Sequence, residues 1–377
     1  MTKRFTRRFL SVLFIVWPLL SGLLPSYTDD HTNNKQIAGH RILRTLNQPK
    51  DGVSVSSPRV IFEDRAGLYW IGTYTGVSSY SDKQDKWTSF TKQTGELVAD
   101  AVEQIGQSGD DNLWFVSGHT AIRPGPNLSC FAGQQWKKSD STPKDSIFTR
   151  QISAMFPGHN GKLWFASKDE LVAYDGRQWE PRIKLSQAIG NEFSIGIRTG
   201  LQDSEGYVWL GTTEGILRFD ERNREWKLFN PFQKNVNSEE QTTSINYGEM
   251  MIRDGIYRSY EDRKGRIWWA SAGVAGVYLV YDKNLGSWTQ YKLRDHLQSV
   301  SSAANKIGLS VIYQDKNGTM MFGTSIGLIT FTEGDKQWKL LTPENSSLPH
   351  ASISAISEDR AGRIWIGTGA GIIVLEP

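Results

Sequence analysis

Glu63-Asp-Arg-Ala-Gly-Leu-Tyr-Trp-Ile-Gly-Thr-Tyr-Thr-Gly76 decides the fold of this 377-residue chain, because the chain repeats it. The phrase runs acidic turn, Gly, apolar, Trp, apolar, small, Ser/Thr. It returns around Trp114, Trp164, Trp209, Trp268 and Trp365, and a seventh copy carries Met321 in the Trp slot. A second set, Trp87, Trp136, Trp179, Trp226, Trp288 and Trp338, follows six of the copies at a similar distance, so twelve of the 14 tryptophans keep one rhythm. Self-similarity with a period of roughly 40–50 residues marks a propeller or a solenoid.

Within one period, Val60 to Glu63, Leu68 to Thr73, Val77 to Tyr80 and Trp87 to Phe90 are short apolar runs divided by Gly/Asp turns. That pattern reads as four strands joined by hairpins, and four strands make a propeller blade. Asp-x-x-Gly recurs at Asp64/Gly67, Asp203/Gly206, Asp262/Gly265, Asp315/Gly318 and Asp359/Gly362. There the Asp side chain caps the turn and Gly supplies positive φ. These carboxylates fall in separate blades, which assigns them to hairpins and not to a metal. Two residues after each Trp slot stands Gly72, Val116, Ala166, Gly211, Ala270, Gly323 or Gly367. Strand alternation puts that residue on the face of the Trp. The pair predicts a notch that admits the next blade and an indole that fills the wedge between blades, which is core packing and not ligand stacking.

The last copy stops early. It has Ile353 to Asp359, Arg363 to Thr368 and Gly371 to Leu375, then ends at Pro377, while Arg41 to Leu46 precedes the first copy without a blade of its own. Residues near 40–47 are therefore expected to complete blade seven. The predicted fold is all-β: a seven-bladed propeller of four-stranded antiparallel blades over residues 40–377, closed so that no sheet edge is left open.

Residues 1–26 read as an export signal or a membrane anchor and 27–39 as a linker. Lys3, Arg4, Arg7 and Arg8 precede the apolar stretch Phe9 to Leu24, which Pro18 and Gly22 interrupt. This is a basic n-region before an h-region, short for a membrane span. Cleavage near Ser26 and retention as an anchor are the two outcomes, and no Cys stands there for a lipid anchor. The expected location is the periplasm or the outer side of the cytoplasmic membrane, with membrane contact only through this segment. The formal net charge of +3 owes everything to those four residues. Without them 39 basic residues face 40 acidic ones, so the chain lacks the footprint of a nucleic-acid binder. The single cysteine, Cys130, allows no internal disulfide, so stability must come from burial.

The opening phrase, with Gln202-Asp-Ser-Glu-Gly-Tyr-Val-Trp-Leu-Gly-Thr-Thr-Glu-Gly215 and Glu358-Asp-Arg-Ala-Gly-Arg-Ile-Trp-Ile-Gly-Thr-Gly-Ala-Gly371, closely resembles the two-component regulator propeller repeat. The resemblance extends from about residue 40 to the end. The second copy departs most: Gln107-Ser-Gly-Asp-Asp-Asn-Leu-Trp114 reads as a shifted turn, and His119 replaces the Gly that opens the third strand. The family's propellers commonly form periplasmic sensor parts of hybrid histidine kinases. No kinase segment or second apolar span accompanies the repeats here, so the resemblance implies the fold and recognition at an exported face, not a signalling output.

Loops between second and third strands share one face with the connections between blades. That face carries Tyr74, His119, Lys168, Glu170 and Glu214, together with the long connection Asn230 to Tyr257, which contributes Tyr247, Arg253 and Tyr257. Loops longer than the usual connection are often functional. This mixed set is the candidate ligand site and suits a polar ligand such as an oligosaccharide, or an envelope protein partner. A scaffold that binds protein only is the alternative. Catalytic residues, a metal site and a cofactor are not expected: the six histidines are scattered, and no GxSxG, HExxH or phosphate-binding Gly loop occurs. Gly161-Lys-Leu-Trp-Phe-Ala166 is similar to repeats of the streptogramin lyases, whose chemistry uses a metal with His and Glu. His159 beside it, however, belongs to a turn on the opposite face.

Overall fold

The computed structural model describes residues 35–46, 55, 57–118, 126–137, 151–167, 170–185, 196–213, 215–229, 256–271, 276–297, 307–334 and 336–377. The export segment 1–26 lies outside the described residues. Among those described, no helix is long and apolar enough to cross a membrane.

They form seven antiparallel sheets, six of four strands and one of five, arranged as the blades of a propeller. Blade 1 is Val60–Glu63, Tyr69–Thr73, Gly76–Ser81 and Lys86–Phe90, from the axis outward. The inner strands of blades 2 to 7 are Val102–Gln107, Ala154–Pro157, Ile197–Gln202, Ile256–Glu261, Leu309–Gln314 and Ile353–Glu358. Blade 7 takes three strands from the C-terminus and its fourth, His40–Leu46, from the N-terminus, with Ile42 opposite Leu375 and Leu46 opposite Ile372. Gln36–Ile37 folds back on His40–Arg41 as a fifth strand. The closure expected from Arg41 to Leu46 is therefore what the chain does, and the Arg41 guanidinium grips the Glu376 carboxylate at 2.8 and 3.0 Å across the seam.

Each Asp turn reaches further than its hairpin. Asp64 Oδ1 accepts the backbone N–H groups of Ala66 and Leu68, both at 2.9 Å, while Gly67 takes φ 83°. The other oxygen, Oδ2, accepts the Trp70 indole N–H at 2.8 Å. Asp203/Trp209, Asp262/Trp268 and Asp359/Trp365 repeat the bond at 2.7–2.8 Å. One carboxylate thus fixes a surface turn and satisfies a buried donor, tying local structure to the core.

Blade 2 corrects the sequence reading. Its turn is not shifted: Ser108 Oγ accepts the Trp114 indole N–H at 2.8 Å, and Asp111 at φ 65° stands where Gly67 does. Asp is among the few residues that tolerate that conformation. In blade 3 the anchoring position is Gly158, and the Trp164 indole N–H has no hydrogen-bond partner among the described residues.

The indoles fill the wedges between blades as expected. Trp70 meets Phe115 and Trp136 of blade 2, Trp209 meets Trp269 and Tyr281 of blade 5, and Trp365 stacks on Tyr69 of blade 1 with centroids 4.1 Å apart. The notch is real: a Cβ on Gly72 would stand 2.7 Å from the Val102 carbonyl oxygen of the next blade. The second tryptophan set has its own task. Trp87, Trp136, Trp226, Trp288 and Trp338 each cover a third-strand aromatic directly across the strand pair, at 4.5–5.2 Å, which seals the outer rim of the blade.

Candidate functional site

Five inner strands depart from regular pairing at the same height. Ile197 pairs with Thr212 and Thr199 with Gly211, which leaves Arg198 without a counterpart. The same slip isolates Glu103, Tyr257, Ser310 and Ser354. Each lies eleven residues before the Trp slot of its blade, the position held by Arg59 in blade 1 and Ser153 in blade 3. A β-bulge re-aims a side chain out of the pleat. Here all five bulged residues, with Arg59, line one cavity of about 500 Å³ to which all seven blades contribute.

Two residues further along each strand, Ile61, Ile105, Met155, Ile312 and Ile356 make the lower lining largely apolar. Ser57 and Ser352 from connections between blades, and Tyr74 from a turn between second and third strands, also line it, so the cavity opens on the face the sequence singled out.

The charges are uneven. The described lining contains three guanidinium groups, Arg59, Arg198 and Arg258, and one carboxylate, Glu103. Glu103 Oε1 is engaged by Arg59 Nη2 at 2.6 Å. Arg59 also donates to the Tyr74 hydroxyl and lies over its ring, 4.7 Å from the centroid. Arg258 donates to the backbone oxygens of Ser310 and Tyr257 at 2.5 and 2.8 Å, cross-linking two bulges. It keeps open surface although protein surrounds it, because that surface faces the cavity. Burial, and after it the like charge of Arg59, depress its guanidinium below the ordinary value, with Glu103 acting the other way. Arg198 lies over the Tyr257 ring at 5.5 Å, and its buried Nε has no hydrogen-bond partner among the described residues.

Of the residues expected at the site, the structure brings Tyr74 and Tyr257 to the cavity, and Tyr74 is 60% exposed. Glu170 is half-buried at the start of the third strand of blade 3 and does not line it. His119, Lys168, Glu214, Tyr247 and Arg253 lie outside the described residues. Sequence reasoning missed Arg59, Glu103, Arg198 and Arg258, which sit in or beside inner strands and not in long loops. The constant spacing to the Trp slot was the available signal.

The opposite face has a second cavity, of about 370 Å³, where His159 stands with Asn160, Lys162, Gln202, Glu205 and Glu221. Among the described residues, no three His, Cys, Asp or Glu side chains gather as a metal site would require.

Residues 347–370, which span the inner strand and Trp strand of the last blade, match the family described as Two component regulator propeller, so the resemblance read from the repeats holds. No curated protein sequence matches the chain at a significant level. Among solved structures, the chain is similar to the extracellular domain of a putative hybrid two component system from B. thetaiotaomicron, with a TM-score of 0.63 and 18% identity over 88% of this chain and 40% of that one. It is also similar to virginiamycin B lyase from Staphylococcus aureus, with a TM-score of 0.60 and 13% identity, covering 88% of this chain and 97% of the lyase. PorZ, a surface component of the type-IX secretion system of Porphyromonas gingivalis, gives 0.59 and 16%, covering 88% and 47%. At these identities the likeness is one of fold. The chain spans only about 40% of the length of the two component system domain.

Proposed function

We propose that this chain is an exported, non-catalytic recognition propeller that binds a polar ligand in the axial cavity, in the manner of a sensor module. The ring of bulges carries the reading. Five blades give up regular pairing at one height, and each sends the freed side chain into the same cavity. Blade 1 sets Arg59 at the same position, just before its paired segment Val60–Glu63, and it too lines the cavity. Tyr74 and Tyr257 supply flat faces, the serines supply hydroxyls, and the arginines supply fixed donors, a lining that suits an oligosaccharide or another polar molecule.

Export is supported by the basic and apolar N-terminal segment and by the likeness to an extracellular propeller domain. The periplasm, or the outer side of the cytoplasmic membrane, is the location we assign. Thermal-shift screening of an oligosaccharide panel against wild type and a Tyr74→Ala/Tyr257→Ala variant tests the proposal. A ligand at 100 times its Kd should stabilise the wild type by about 2.7 kcal/mol and the variant far less. Equal stabilisation of both would remove the site from the cavity. Capture of an envelope protein by both forms, with no small ligand found, would favour the scaffold alternative, and metal-dependent turnover would favour lyase chemistry.

A further inference from the structure

We infer that the axial cavity selects anions: its ligand carries a carboxylate, sulfate or phosphate group that docks on Arg198 and Arg258, the two guanidinium groups of the described lining that no carboxylate holds. This rests on reading the cavity as the recognition site and adds the chemical class of what enters it.

Arg59 is charge-paired with Glu103 and bonded to Tyr74, although its buried Nε has no partner among the described residues. Arg258 spends part of its donor set on two backbone oxygens, and no carboxylate among the described residues forms an ion pair with it. Arg198 makes no ion pair among the described residues; its contact is with the face of Tyr257, and its buried Nε–H is unpartnered. A buried donor without an acceptor is costly to keep, more so when it is charged. Cationic groups that line one cavity gain from a counter-charge bound there, since protein walls weaken dielectric screening.

The guanidinium fork selects the partner. Its parallel N–H donors match the two oxygens of a carboxylate or the edge of a sulfate or phosphate, whereas a neutral hydroxyl satisfies one donor and no charge. The rest of the lining fits the body that carries the acid. Ser310 and Ser354 offer hydroxyls, and the isoleucines below offer apolar contact.

The test uses the full chain with three probes: inorganic sulfate, D-glucuronate, and D-glucose as the neutral counterpart. NMR of the arginine Nε–H groups reads the site directly. Sulfate and glucuronate should both shift the Arg198 and Arg258 signals, glucuronate should bind about tenfold or more tightly than glucose, and added NaCl should weaken it. Arg198→Gln should cost about tenfold in glucuronate affinity, and because Arg198 holds no backbone group this variant keeps the fold even if Arg258→Gln does not. Glu103→Gln should strengthen glucuronate binding. Glucose shifting the cavity signals as well as glucuronate would overturn the anion selectivity while leaving recognition in the cavity intact. Silence of these signals to sulfate and glucuronate, or shifts that survive Arg198→Gln unchanged, would overturn the inference.

Discussion

His40 Nε2 lies 3.0 Å from Asp315 Oδ2, with both side chains buried. Four other blades give that carboxylate oxygen to an indole N–H; in blade 6 the slot holds Met321, which has none to give. The vacancy is filled from the far end of the chain. His40 belongs to the strand that completes blade 7, so the exception in the tryptophan rhythm is also where the closing strand is pinned to blade 6. Its Nδ1 stands 3.0 Å from the Glu376 carbonyl oxygen. Both neighbours are acceptors, and only the imidazolium, with two N–H groups, can satisfy both at once.

The ring seal should therefore depend on pH. The hydrogen bond that His40 donates to Asp315 raises its pKa above the ordinary 6.5, burial opposes the rise, and the Glu376 carbonyl adds to it. A raised folded pKa contributes stability that is full below the unfolded value and is lost as pH climbs through the folded value. Thermal melts of wild type and His40→Gln from pH 5 to pH 9 should show the largest wild-type advantage at the acid end. An advantage that does not change with pH would contradict the charged pair.

Trp209 is fully buried, bonded to Asp203 and packed on the aromatics of blade 5. Trp209→Ala should cost about 3–5 kcal/mol in chemical denaturation. Trp209→Phe keeps most of the packing but strands an Asp203 lone pair, and should cost about 1–3 kcal/mol. Equal losses for the two would mean that the hydrogen bond, and not the wedge, carries the energy.

Deleting residues 1–34 should leave the propeller folded. Deleting residues 1–47 removes His40–Leu46 and uncovers Gly371–Leu375, a wholly buried apolar strand, as an open edge. Open apolar edges pair with other chains, so size-exclusion chromatography should show aggregation of the longer deletion only. Two soluble monomers of equal melting temperature would defeat the assignment.

Ala38 and Gly39 form the two-residue turn between Gln36–Ile37 and His40–Arg41, at φ 54° and 88°. Both positive angles belong to the turn that favours Asn-Gly, and alanine pays a strain of about 1–2 kcal/mol there. Ala38→Asn should raise stability by about 0.5–1 kcal/mol, measured by denaturant titration. A loss would show that the methyl group packs too well to replace.

The rhythm of tryptophans, the small residues two places on and the orphan strand at Arg41 to Leu46 were enough to read seven blades and their closure, because burial and hairpin chemistry act through local spacing. What spacing cannot display is a partner chosen in space. Ser108 standing in for an aspartate, and His40 reaching Asp315 across 275 residues, are of this kind. The site divided in the same way. Tyr74 was legible as a loop residue, which propellers leave free to vary, whereas Tyr257, read as the end of a long connection, stands in the inner strand Ile256–Glu261. Arg198 and Arg258 were passed over because they stand in strands, where regular alternation hides a bulge that exists only in the pairing.

The seam between His40–Leu46 and Gly371–Leu375 also sets a timetable. Its two sides are far apart along the chain, with His40 and Glu376 336 positions apart. At a synthesis rate of roughly 5–20 residues per second, the first strand leaves the ribosome about 20–70 s before its partner exists. Six blades can form from neighbouring hairpins in that interval, but the seventh must wait. Gly371–Leu375 is thus the latch, and a chain stalled or clipped before it would carry a nearly complete ring that has nothing to hold it shut.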